Sequence, residues 1–128
     1  MPRSYVIIGN GIAGTSAAET IRKSDQDARI VLIAEEPYPL YNRVALPPYL
    51  KLKVTAKKVL MRTAEQHQQR NIELLLNTRA ESLDTEKKVV TASNGERYTY
   101  DALLLATGGT PNHMEVAGTD TYGVCYFQ

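Results

Sequence analysis

Three glycines, an acid and an arginine are the residues of this sequence whose types and spacing point to chemistry. Gly9, Gly11 and Gly14 stand in YVIIGNGIAG, directly after a short apolar run. Each glycine has a physical task at that spacing. The first permits a tight turn out of a strand. The second lets backbone approach a phosphate with no Cβ in the way, and the third lets a helix pack closely on the strand. The helix that begins here offers free N–H groups and the positive end of its dipole to an anion. The chemistry indicated is the cradling of a dinucleotide pyrophosphate. A lone GxGxxG says little, but this one follows an apolar strand pattern and opens a helical one. Glu35 stands 21 positions beyond Gly14, at the end of the next apolar run. An acid there accepts from ribose hydroxyls. It also disfavours a 2′-phosphorylated adenosine, since two anions would meet. It does not separate NAD from FAD. The bland alternative, a glycine-rich turn with no ligand, is opposed by the surrounding pattern. Arg43 offers a planar donor suited to phosphate oxygens; its alternative is a surface salt bridge.

Positioning these residues falls to a recognisable series of elements. Residues 5–8 (YVII) and 30–34 (IVLIA) are short apolar runs, the pattern of parallel strands buried on both faces. Between them Ala13, Ala17 and Ile21 recur at helical spacing, which predicts a helix over 12–23 and a right-handed crossover. Residues 35–50 (EEPYPLYNRVALPPYL) hold four prolines and three tyrosines. The prolines forbid a regular strand and a long helix before Pro47. The tyrosines argue against disorder, so this reads as an ordered, functional loop. A short helix over 63–70 has Thr63 as its cap. A third apolar strand follows at 72–76. Three alternating segments at 79–83, 88–92 and 97–100 then predict an antiparallel meander, with Asn94-Gly95 as a hairpin signal. Residues 102–106 (ALLLA) return to the buried-strand pattern and end at Thr107-Gly108-Gly109. An ordinary strand-end turn is the alternative reading of that glycine pair.

The 128 residues are one domain's worth of chain and carry a formal net charge of +1. No basic run marks a nucleic-acid partner. Lys57-Lys58 and Lys87-Lys88 read as solvated positions. The single cysteine, Cys125, rules out an internal disulfide and is consistent with a reducing compartment. No stretch approaches the roughly 20 apolar residues of a membrane span. The expectation is a soluble, cytoplasmic protein with no nucleic-acid or membrane partner.

Taken in order, VIIGNGIAG, IVLIAEE, LYNRVALPPYL and YDALLLATGG resemble a known family. It is the FAD- and NAD(P)H-dependent oxidoreductases of the pyridine nucleotide-disulphide type, built from two dinucleotide domains. The resemblance covers nearly the whole chain and leans towards the nitrite reductase large subunit and rubredoxin reductase-like branch. It implies an α/β, Rossmann-like FAD-binding domain: a parallel sheet with helices plus the three-stranded meander. It also implies site residues. Gly9, Gly11, Ile12, Ala13 and Gly14 line the FAD pyrophosphate. Glu35, with Glu36, holds the adenosine ribose. Asn42 and Arg43 reach towards the pyrophosphate and ribityl end, and Ala80 offers its backbone to the adenine. Ala106, Thr107 and Gly108 pass close to the flavin chain. In such an enzyme electrons pass from NAD(P)H through FAD to an acceptor such as rubredoxin, an iron–sulfur centre or a nitrite-reducing haem.

The departures matter as much. Many relatives of this type carry a lysine or serine after the leucine of the arginine loop, where this sequence has Leu46-Pro47-Pro48. The paired cysteines that disulfide reductases place beside the flavin are lacking, which excludes that thiol exchange. His67 and His113 share no metal spacing, and neither a catalytic residue nor a metal ligand is assigned. His67 is expected on a polar helix face, His113 in the loop after the glycines, and Cys125 as a buried or half-buried thiol. The family's second glycine fingerprint and its later Gly-Asp pair are missing from this sequence. The expectation is therefore the N-terminal portion of an FAD domain, incomplete and inactive alone. Its partners would be FAD and either the missing polypeptide half or a redox protein. An uncovered apolar sheet edge further suggests self-association. Two readings stay open: a short nucleotide-binding protein or subunit that is not catalytic alone, and a plain NAD-binding Rossmann domain. The meander and the ATGG ending count against the second.

Overall fold

The computed structural model describes residues 1–126. A four-stranded parallel sheet forms its centre, with spatial order β3-β2-β1-β7. Its strands are β1 (Ser4–Ile8), β2 (Arg29–Ile33), β3 (Ile72–Leu75) and β7 (Ala102–Leu105). Helix α1 (Ile12–Ser24) is the crossover between β1 and β2. Strands β4 (Ala80–Asp84), β5 (Val89–Ala92) and β6 (Arg97–Thr99) make the antiparallel meander.

The two sheets and the helix stack because the central strands are apolar on both faces. Side chains alternate along a strand. Val6, Val31 and Ile33 therefore face the meander, where Val90, Ala92 and Tyr98 complete one buried cluster. Ile7, Ile30 and Leu32 face the other way and pack with Ala18, Ala28 and Ile72. Ala17 and Ile21 of α1 pack against that second cluster. Each fully buried branched side chain of this kind contributes about 1.5–3 kcal/mol.

The segment between β2 and β3 is ordered, as its tyrosines suggest, but contains more helix than its prolines announce. A 3-10 turn at Arg43–Ala45 runs into α2 (Leu46–Leu50), with Pro47 and Pro48 in its first turn. Proline is tolerated there because first-turn N–H groups lack intrahelical partners anyway. Short helices α3 (Ala56–Val59) and α4 (Ala64–Gln69) follow. The base of the loop is closed by a bridge between Tyr41 and Leu60 and by Asn42 N–H donating to Val59 O at 2.8 Å. Thr63 and Gln66 form a reciprocal capping box at the start of α4.

Two arginine-centred contacts fasten this segment to α1. Glu19 of α1 accepts from Arg62 Nε and from Arg70 Nη1, each at 2.7 Å. The hydrogen bond from Arg62 is the main reason that the Glu19 carboxyl is held below the usual carboxylate range. The mostly buried Arg22 donates to the carbonyls of Asp25, Gln26, Ala28, Arg70 and Asn71. One guanidinium thus satisfies the end of α1, the turn before β2 and the turn before β3.

Candidate functional site

The carboxyl ends of β1, β2 and β7 open onto a cleft of about 710 Å³. Ligands of open α/β sheets bind outside these ends. The packed base of the glycine loop, at Gly9 and Gly14, forms its floor, and Gly11 faces its open mouth. Gly9 has φ of 103° and donates its N–H to Ile33 O at 2.8 Å, and Ala106 N–H reaches Ile8 O at 2.8 Å. A Cβ on Gly9 would overlap the Ala106 carbonyl, and one on Gly14 would overlap the Gly9 carbonyl. A Cβ on Gly11 meets nothing within 4 Å. Gly9 and Gly14 are therefore required by the backbone itself. Gly11 keeps space open above it.

Gly11 is also the N-cap of α1, in extended conformation and with no side-chain cap. The first turn of α1 carries no acid. Its N–H groups lack intrahelical partners, and the helix dipole adds a positive partial charge at this end. Ile12 and Ala13 of that turn line the cleft. The Thr15 hydroxyl donates to Asn10 O at 3.0 Å, and Asn10 Nδ2 donates to Tyr38 O at 2.8 Å. These bonds fix the loop against the proline- and tyrosine-rich segment.

The far end of the cleft is acidic and basic in equal measure. Glu35 follows β2 and accepts from Arg79 Nη1 at 3.0 Å. Glu36 lies 3.6 Å from Arg43 Nη2. The Arg43 guanidinium sits over the Tyr41 ring, 5.5 Å from its centroid. Partial burial, together with a hydrogen bond and charge from Glu36, raises the pKa of the Tyr41 hydroxyl. The opposite wall is made of Ala106, Thr107, Gly108, Gly109 and Thr110.

Most of the residues singled out from sequence meet in this one cleft. Gly9, Gly11, Ile12, Ala13, Glu35, Glu36, Arg43, Ala80, Ala106, Thr107 and Gly108 all line it. Gly14 and Asn42 do not. Gly14 is buried beneath the loop, and the Asn42 side chain caps the 3-10 turn that presents Arg43, accepting from Val44 N–H at 3.0 Å. Sequence reasoning missed Asn10, Thr78, Arg79, Gly109 and Thr110, which share the lining. Asn10 lies inside the glycine signature and Gly109 directly after Gly108, so proximity alone was a signal for both. Thr78 and Arg79 carried no local one.

Outside the cleft two expectations are corrected. His67 is buried rather than on a polar face. Its Nδ1 lies 2.9 Å from Thr63 O, and Nε2 has no hydrogen-bond partner among the described residues. Packing of α4 against β3 turns that side inwards. Cys125 is exposed, neither buried nor half-buried. His113 lies in the loop after the glycines, as expected, edge-on to the Tyr126 ring. Among the described residues no group of three or more His, Cys, Asp or Glu is placed to hold a metal. No helix there is long and apolar enough to cross a membrane.

The doubly covered parallel sheet, the glycine turn and the acid after β2 define a dinucleotide-binding domain of the Rossmann type. The sequence profile of the pyridine nucleotide-disulphide oxidoreductases matches residues 3–127, and the chain belongs to that family. It is 35% identical over 126 residues to a rubredoxin-NAD(+) reductase of Pseudomonas putida, covering 98% of this chain and 33% of that one. A nitrite reductase [NAD(P)H] of Bacillus subtilis is 33% identical over 127 residues, covering 98% of this chain and 16% of the other. Among solved structures, a ferredoxin reductase from Rhodopseudomonas palustris superposes with a TM-score of 0.89 at 29% identity. That match covers 98% of this chain and 31% of the reductase. The chain thus spans a third or less of the length of these relatives.

Proposed function

We propose that this chain is the FAD-binding portion of an NAD(P)H-dependent flavoprotein oxidoreductase that passes electrons to a protein or inorganic acceptor. The observation that carries this reading is the cleft itself. It joins an uncapped helix N-terminus, an open glycine and an acid–arginine end into one elongated site. The residues fit an adenine dinucleotide. Gly11 and the first turn of α1 would take the pyrophosphate, with Arg43 as a further donor. Glu35 and Glu36 would accept from the ribose, and the Ala80 backbone would meet the adenine. The wall at Ala106, Thr107 and Gly108 would lie along the flavin chain, where Gly108, lacking a side chain, permits close approach.

When bound, FAD supplies the hydride-accepting and electron-transferring chemistry. This chain's residues bind and orient it, and none of them is assigned a proton-transfer or nucleophilic role. The nicotinamide site and the acceptor's docking surface belong to polypeptide beyond the part spanned here, by analogy with the longer relatives. An electron-carrier partner is supported by the relatives' names, rubredoxin and ferredoxin reductases among them. A cytoplasmic setting rests on the unpaired Cys125 and the lack of a membrane-spanning helix among the described residues. Self-association is the expected use of β7, an edge strand of the described sheet with Leu104 and Leu105 exposed.

Mixing the purified chain with FAD and removing the excess tests the reading. Retained flavin absorbance is expected. Binding of NAD that FAD does not compete for would sink it and favour a plain NAD-binding domain.

A further inference from the structure

Arg79 is the charged cleft residue to which neither the glycine signature nor the family resemblance gives a task. It stands in the turn between β3 and β4 and reaches the acidic end of the cleft. Its mounting is rigid. Arg79 N–H donates to Ser93 Oγ at 2.9 Å, and its carbonyl accepts from Ser93 N–H at 2.8 Å. The turn before it is tied to the end of β2: Thr78 N–H reaches Ala34 O at 2.8 Å, and Asn77 N–H reaches Glu36 O at 3.3 Å. Thr78 is buried, with its hydroxyl on Leu76 O. The backbone is thus held by both sheets while the side chain remains 69% exposed in the cleft.

The ion pair with Glu35 joins one guanidinium nitrogen to one carboxylate oxygen. The second oxygen of Glu35 and the flat faces of the guanidinium remain available to a ligand. An exposed pair of this kind adds little to fold stability, about 0–1 kcal/mol. A planar guanidinium held beside a ribose-binding acid is, however, well suited to stack on an aromatic base.

We propose that Arg79 binds the purine of the nucleotide by stacking on it, while its charge steadies Glu35 towards the ribose. This rests on the dinucleotide reading of the cleft. It adds a side-chain contact to the adenine end, where the sequence suggested only the Ala80 backbone.

Binding of ADP, followed by calorimetry, and of FAD, followed by flavin fluorescence, tests it in the whole chain. Arg79→Ala is expected to weaken ADP roughly 3- to 30-fold, the range of a base-stacked cation. Arg79→Lys keeps the partner for Glu35 but lacks the plane, and is expected to bind ADP more weakly than wild type. The Arg79→Ala loss is also expected to persist in a Glu35→Gln background. Wild-type affinity in Arg79→Ala, full recovery in Arg79→Lys, or disappearance of the loss in the Glu35→Gln background would each overturn the stacking role. If the unaltered chain takes up neither ADP nor FAD, the dinucleotide reading itself falls and this assignment falls with it. The two failures are therefore distinct.

Discussion

The floor of the cleft and its mouth are built on opposite terms. At the floor, Gly9 and Gly14 are pressed against the carbonyls of Ala106 and Gly9, and there is no room for a methyl group. At the mouth, Gly11 faces open space, and Glu35 and Arg79 are about two-thirds exposed. Two glycines of one signature therefore serve the fold, and the third, on the proposed reading, serves what the fold holds. The contrast separates a packed backbone from an open one within six residues of chain.

The largest effect should come from breaking the floor. Gly14→Ala places a Cβ into the Gly9 carbonyl, and because both partners are backbone, α1 must move off β1. Urea unfolding should show a loss of roughly 3 kcal/mol, the upper end of overpacking costs. A loss of only a few tenths would mean that the loop gives way easily and that the floor is not rigid.

A smaller effect belongs to the clamp that holds α1 from the other side. Glu19 has its pKa lowered in the folded chain, chiefly by the Arg62 hydrogen bond. A depressed folded-state pKa adds stability above the unfolded value, and that stability is lost as pH falls through the folded one. The contribution should be complete at neutral pH and disappear progressively below the ordinary value of 4.5. The stability difference between wild type and Glu19→Gln should therefore narrow on acidification to about pH 3. A difference that is constant with pH would show that the Arg62–Glu19–Arg70 contacts do not depend on the carboxylate charge.

The smallest change in stability should come from the mouth. Gly11→Ala meets no neighbour, and its φ of −65° suits any residue. Replacing a glycine N-cap by alanine should cost about 1 kcal/mol or less. Unfolding as severe as that of Gly14→Ala would erase the distinction between floor and mouth.

Much of this contrast was legible in the chain. Central parallel strands covered on both faces are apolar throughout, so YVII and IVLI marked β1 and β2 directly, whereas IELL, at the sheet edge, carries the exposed Glu73 and was marked only by its remaining apolar residues. The glycine spacing located the floor because Gly9 and Gly14 each answer a local backbone demand. Arg79 was not legible, because its place beside Glu35 depends on β3 pairing with β2 and on the meander returning over the sheet. No local pattern encodes that. His67 was hidden for the reverse reason. Its neighbours in AEQHQQ are polar, so the buried side of a helix only six residues long left no periodic signal. The prolines of 37–48 bar a regular strand and a long helix before Pro47, and neither forms there; the short helix α2 carried no clear signal, because Pro47 and Pro48 sit in its first turn, where a helix start needs no N–H from them.

The central claim is that the open glycine marks where a flavin dinucleotide's phosphates lie. The most direct measurement compares FAD retained by the wild-type chain and by Gly11→Ala after gel filtration, with circular dichroism as the control for folding. The account predicts flavin retained by the wild type and reduced in a folded Gly11→Ala. Equal retention by both would place the flavin elsewhere and contradict it.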